Sequence, residues 1–301
     1  MPGGAGPVYP AADRFGELMM NQTIFLMLGL LGLVGIGSVV SSNDDDHAPE
    51  GPADDPRLHG DALISGTEED DVLTGTDGDD GIQGLNGNDL IDGGAGDDLI
   101  SAGFGEDTVL AGPGDDEIAL GGDDDLYGAY DLGADEGNDT IDGGTGDDTI
   151  ITNLGNHSIT GGNGDDRIED HGGAVFIDGE DGDDLILSPD ASDPDRPDTL
   201  LGGAGNDTIH AGAGDIVDGG EGADLLVLRS DAGGAADIVY DRGDEITITL
   251  AQDYAGVEEH ELVQDGDDVR VVLDGEDIAI LRDTLTRDVN TINVVRETLG
   301  N

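Results

Sequence analysis

One nine-residue pattern, repeated in phase, limits what this chain can fold into more than any other feature. It reads Gly-Gly-x-Gly-x-Asp-x-U-x, where U is a large aliphatic residue. It appears in full as Gly93–Ser101, Gly143–Ile151, Gly161–Glu169 and Gly202–His210. From Gly66 to Gly128 the sixth position is Asp71, Asp80, Asp89, Asp98, Asp107, Asp116 and Asp125, each nine residues after the last. Five extra residues, 129–133, break the phase. It resumes with Asp139 and Asp148 and runs through Asp166 and Asp184. A second acidic insertion, 188–192, precedes Asp198 and Asp207, a shortened unit places Asp215 near the same slot, and Asp224 closes the series. A repeat this short is a stack of small units, each stable only against its neighbours.

Each position has a physical task. The glycines let the backbone turn tightly at positive φ, with carbonyl oxygens directed into the bend. The aspartate brings a hard anionic oxygen, and x-U-x is a minimal strand with one inward side chain. Those inward residues are Leu73, Ile82, Ile91, Ile100, Val109, Ile118, Tyr127, Ile141, Ile150, Ile159, Ile168, Ile177, Ile186, Leu200, Ile209 and Leu226. One apolar side chain in nine residues is too little to order so much glycine. A bound ion must supply the difference, which makes binding and folding one event. Hard oxygens on flexible backbone suit Ca²⁺ better than Mg²⁺, which demands a stricter octahedron.

On these residues the chain resembles the RTX (haemolysin-type calcium-binding) repeat family over about half of its length. The resemblance implies an all-β fold, a right-handed parallel β-roll with two nonapeptides per coil, stabilised by Ca²⁺ held between turns stacked on the same edge. Stacked turns lie 18 residues apart, so one edge carries Asp71, Asp89, Asp107 and Asp125, and the other Asp80, Asp98 and Asp116. Past the first insertion, Asp148, Asp166 and Asp184 again form a complete edge. The opposite slots read Asp139, His157 and Val175, which predicts one row of ions there rather than two. The full set of expected ligands is Asp71, Asp80, Asp89, Asp98, Asp107, Asp116, Asp125, Asp139, Asp148, Asp166, Asp184, Asp198, Asp207 and Asp224.

Composition supports this reading. Asp and Glu number 71 against 10 basic residues, a formal charge of −61 with 3% aromatics. Without the phasing, that would describe a disordered polyanion. Such a chain is self-repelling until cations neutralise it, and it has no basic face for nucleic acid. There is no cysteine, so neither disulfides nor thiolate metal sites are available.

The flanks divide the chain further. Residues 1–23 are irregular. Ile24 to Val40 is an uncharged apolar run, read as a hydrophobic helix acting as an export signal or short membrane anchor. Seventeen helical residues rise about 26 Å. Arg14 before the run and Asp44 to Asp46 after it favour an anchor with the repeats outside. Residues 41–61 form an acidic, Pro-containing linker, and 62–227 the roll. Residues 228–301 switch to period two and form a small β cap. In the cap, Glu245–Leu250 reads as a strand, Val269–Leu273 and Ile278–Leu281 as a hairpin on Asp274-Gly275, and Thr291–Val295 as a closing strand.

No catalytic motif stands out. His260-Glu261 begins an H-E-x-x-H pattern, but Gln264 holds the place of the second histidine. The expected function is therefore an exported, non-enzymatic calcium-binding module, located outside the cell or on its surface. The resemblance adds type I secretion, with residues 228–301 as the region able to carry its signal. The alternative is a surface-anchored adhesin or spacer that contacts the membrane through 24–40 and a cell-surface ligand through the repeats. A carbohydrate-active module is the enzymatic alternative. Nucleic acid is excluded as a partner.

Overall fold

The structure is a computed structural model that describes residues 62–128, 137–188, 197–212, 214–230, 234–251, 254–256 and 258–296. The described residues all belong to one compact unit. The expected hydrophobic helix at Ile24–Val40 and the linker 41–61 lie outside the described residues. Among the described residues no helix is long and apolar enough to cross a membrane.

The repeats wind into a parallel β-solenoid. Among the described residues the strands form two sheets, one of 13 strands and one of 11; as far as Glu245–Leu250 alternate strands enter the two sheets and each pairs with the next but one in sequence. In the first sheet, Ser158–Asn163 lies between Thr140–Thr145 and Phe176–Asp181, with Ile159 opposite both Ile141 and Ile177. In the second, Ile168 lies between Ile150 and Ile186. A full coil is thus two nonapeptides. Every inward residue expected from the repeat is buried, and Val217 and Ile238 extend the same column. Because each sheet is a ladder of identical registers, a β-branched residue packs on its own kind one coil above and below.

The turns depend on glycine where the backbone requires it. Gly162 and Gly164, the second and fourth residues of their repeat, have φ of 113° and 139°, a region open to glycine at little cost.

The stack does not stop at Val227. Ala236–Val239 continues the first sheet by pairing in parallel with Ile216–Glu221, and Glu245–Leu250 continues the second by pairing with Leu225–Arg229. The sequence placed the boundary too early because these coils have lost the glycine pairs while keeping the inward aliphatics Ile238, Ile246 and Ile248. The hairpin Asp268–Leu273 and Glu276–Arg282 then closes the first sheet, turning at Asp274 (φ 53°) and Gly275 (φ 90°) as an Asp-Gly turn should. Ile292–Arg296 closes the second by pairing in parallel with Glu245–Leu250. His260–Asp265 is an antiparallel strand on the hairpin, not a helix, so the partial H-E-x-x-H has no helical face on which to form a metal site.

Candidate metal centre

The sixth-position aspartates are buried, with exposures of 0–4% from Asp80 to Asp224. They stand in two ladders, one at each edge where the chain passes between sheets. Along the continuous edge the amide of each aspartate donates to Oδ1 of its counterpart one coil later. Asp71 donates to Asp89 at 2.8 Å, Asp89 to Asp107 at 2.7 Å, Asp107 to Asp125 at 2.7 Å and Asp125 to Asp148 at 2.8 Å. The row goes on through Asp166, Asp184, Asp207 and Asp224 to Asp244. The row stays linked where the spacing lengthens to 23 residues, from Asp125 to Asp148 and from Asp184 to Asp207.

The interrupted edge starts the same way, from Asp80 to Asp98, Asp116 and Asp139. At the next slot the acceptor is Nδ1 of His157, which takes the amide of Asp139 at 3.2 Å. Val175 follows and offers no acceptor. The ladder resumes with the Val175 amide donating to Asp198 and the Asp198 amide to Asp215.

The second carboxylate oxygen separates the slots. Oδ2 of Asp89, Asp98, Asp107, Asp125, Asp148, Asp166, Asp184, Asp207 and Asp224 is buried with no hydrogen-bond partner. By contrast, Asp71 Oδ2 accepts from the amide and hydroxyl of Thr67, and Asp80 Oδ2 from the amide of Thr76. Asp139 Oδ2 faces the Tyr127 hydroxyl at 3.4 Å, and Asp198 Oδ2 accepts from Ser188 at 2.5 Å. All fourteen aspartates expected from the sequence therefore stand in the two edge ladders. In four of them (Asp71, Asp80, Asp139 and Asp198) a protein donor meets the second oxygen.

At Asp89, Asp98, Asp148, Asp166, Asp184 and Asp207 the unpartnered Oδ2 faces backbone. A methyl group placed on Gly143 would lie 2.6 Å from Asp148 Oδ2 and also against the carbonyl oxygen of Gly161, one coil on. The same pair, a carboxylate of the turn and a carbonyl of the next coil, converges at Gly84, Gly93, Gly161, Gly179 and Gly202. Two oxygen acceptors meeting with no donor between them form a cradle for a cation. Among the described residues no three His, Cys, Asp or Glu side chains cluster as a metal set. An ion held here would thus take most of its oxygens from turn carbonyls. That donor set, hard and mostly neutral, fits Ca²⁺.

Electrostatics point the same way. Burial, followed by repulsion from neighbouring carboxylates, pushes Asp125 up to about 8 against the pull of the Asp107 amide. Asp166 and Asp207 rise to about 7, and Asp98, Asp107, Asp148 and Asp184 to about 6, with burial the largest cause each time. A roll with these groups ionised and no cation is therefore costly at neutral pH.

Two features escaped the sequence reading. Asp244 is 1% exposed and ends the continuous row, but its own Oδ2 accepts the Asp241 amide at 2.8 Å. Only the Gly243-Asp244 pair hinted at it. The fifth-position residues form further ladders on the outside, running in the opposite sense. The amide of Asp165 donates to Asp147 Oδ1 and that of Asp183 to Asp165 Oδ1, each at 2.9 Å. The recurrence of Asp or Asn at position five was the available signal.

The match to a family model agrees with this architecture. Residues 65–100, 83–118, 92–127, 134–156, 160–188 and 195–226 match the family described as RTX calcium-binding nonapeptide repeat (4 copies). No curated protein sequence matches the chain. Among solved structures, the extracellular lipase LipA from Serratia marcescens is similar at 15% identity over 84% of this chain, with a TM-score of 0.23. The chain spans 40% of that lipase.

Proposed function

The array at residues 65–226 belongs to the RTX calcium-binding nonapeptide repeats, and from that premise we propose an exported protein whose roll folds on meeting calcium outside the cell and then serves as a structural or interaction module. The observation that carries this reading is the row of buried Oδ2 atoms without partners, from Asp89 to Asp224 along the continuous edge. Each needs a cation or a proton, and at neutral pH in millimolar calcium the cation is the available one. Asp89, Asp107, Asp125, Asp148, Asp166, Asp184, Asp207 and Asp224 would hold the ions together with the turn carbonyls beside them. Calcium supplies positive charge that joins one coil to the next. The chain supplies the register, the dry aliphatic column and the glycine turns that bring carbonyls to the carboxylate. The winding would be right-handed, as parallel strand crossovers are.

Export fits a chain that stays unfolded while calcium is scarce and compacts where it is abundant. We assign the export region to residues 228–301. The apolar run Ile24–Val40 favours a second form of the same reading, in which the roll is held at the cell surface as an adhesin or spacer. A mature protein in the medium that starts near Ser41 supports release, and retention in the membrane fraction supports anchoring. The reading contains no catalytic step.

The test is a calcium titration of the full chain, followed by circular dichroism and hydrodynamic radius. A cooperative change from expanded coil to compact β structure at about 10⁻⁴–10⁻³ M calcium is expected. A chain already compact in chelator and indifferent to calcium would overturn the proposal.

A further inference from the structure

On the calcium reading above, we propose that the middle of the interrupted edge is a built-in substitute for calcium. Between Thr152 and Asp198, side chains of the protein itself hold the places that cations hold elsewhere, so calcium joins these coils along the continuous edge only.

One position in the repeat separates the two kinds of slot. In most intact turns the residue two beyond the inward aliphatic is small and apolar, as Gly93 is beyond Ile91 and Ala102 beyond Ile100; Leu120 ahead of Asp125 is larger, but it too brings no hydrogen-bonding group to the carboxylate. In the middle of the interrupted edge the same position holds Thr152 beyond Ile150, Asp170 beyond Ile168 and Ser188 beyond Ile186. All three are 0% exposed. Their side chains complete the slots from within. The Ser188 hydroxyl donates to Asp198 Oδ2, the oxygen that has no partner in intact slots. The Thr152 hydroxyl donates to Asp170 Oδ1 at 2.7 Å, and the Gly172 amide to Asp170 Oδ2 at 3.1 Å. Asp170 thus brings an acid to the turn in which Val175 has none, and it comes with its own donors.

His157 fills the remaining slot. Its Nδ1 lies 3.2 Å from both the amide nitrogen and Oδ2 of Asp139. A neutral ring accepts the amide, and a protonated one pairs with the carboxylate; one nitrogen cannot do both. In either state the imidazole, not an ion, faces Asp139. On the opposite side of the same coils, Asp148, Asp166, Asp184 and Asp207 keep their unpartnered Oδ2. One stretch of solenoid therefore contains both kinds of edge, which rules out coil position as the cause of the difference.

The experiment is a count of bound calcium on the full chain by equilibrium dialysis and elemental analysis, with folding checked by circular dichroism. Asp184→Asn and Asp207→Asn are expected to lose at least one ion each, and Asp198→Asn none. Ser188→Gly restores the small residue, leaves Asp198 Oδ2 facing backbone, and is expected to gain one. A loss in Asp198→Asn equal to that in Asp184→Asn overturns the proposal while leaving the calcium reading intact. Should Asp198→Asn fail to fold, Ser188→Gly decides alone: a gain supports the substitute, and an unchanged count refutes it. A wild-type chain that binds no calcium fails at the earlier step and removes the calcium reading itself.

Discussion

Replacing Ile159 by alanine measures how tightly the aliphatic column and the ion row are coupled. Ile159 is 0% exposed and sits in register between Ile141 and Ile177. The stacked coils leave little room to collapse, so the truncation costs about 2–5 kcal/mol. That loss must appear in the calcium response. Nine carboxylates have an unpartnered Oδ2 among the described residues. If each marks an ion bound only by the folded chain, a tenfold rise in free calcium adds about 12 kcal/mol of stability. A deficit of about 3 kcal/mol is then offset by a rise of about 1.8-fold in the calcium midpoint. With a single coupled ion the same deficit would raise the midpoint roughly 160-fold. The assay is a titration in calcium–chelator buffers, read by far-ultraviolet circular dichroism and hydrodynamic radius. A midpoint that does not move while thermal stability falls would refute the coupling. A shift of a hundredfold would refute the long row.

Acid should partly replace calcium. The buried aspartates have folded pKa values raised to between about 6 and 8, so in chelator the stability they allow is full below their ordinary range near 3.8 and lost as pH rises through 6 to 8. Chelated chain should gain β structure between pH 7 and pH 4, and a chain least structured in acid contradicts this. For the same reason, calcium should bind more weakly at pH 6 than at pH 8, because protons compete for the same oxygens. Gly161→Ala places a methyl group against Asp166 Oδ2 and 2.9 Å from Gly179 O, at a residue with no positive φ; because Ala102 already holds the equivalent position ahead of Asp107, the change should raise the calcium midpoint without abolishing compaction. Gly266→Ala, in an open hairpin turn with nothing within 4 Å, carries only the backbone cost of its φ of 67° and should leave the calcium midpoint nearly unmoved; equal effects would count against the cradle. Asp165→Ala removes the acceptor of the Asp183 amide and should cost about 1 kcal/mol, whereas Asp165→Asn keeps it. Thermal melts at saturating calcium distinguish the two.

The repeat made the fold legible because one period sets both the inward column and the turns. Ile150 and Ile168 could be placed one above the other from spacing alone, and so could Asp148 and Asp166. What stayed hidden depended on contacts rather than on period. Thr152, Asp170 and Ser188 look like ordinary drift from glycine until the structure shows them donating or accepting inside the edge. Asp71 and Asp80 match the motif as well as Asp89 does, yet threonines in their own turns already meet the second oxygen. The end of the stack was misplaced because the coils after Val227 keep the aliphatics and lose the glycines that made the pattern visible. His157 still accepts in the ladder while Val175 does not, and the side chains that fill the space beside them come from position one, where the motif predicts nothing but backbone.

Anomalous diffraction from crystals of the full chain grown in calcium tests the central claim most directly. A line of peaks is expected along the continuous edge, one beside each carboxylate from Asp89 to Asp224 whose Oδ2 lacks a partner, and none between Asp170 and Val175. Peaks scattered over the exposed fifth-position acids, with the buried row bare, would contradict it.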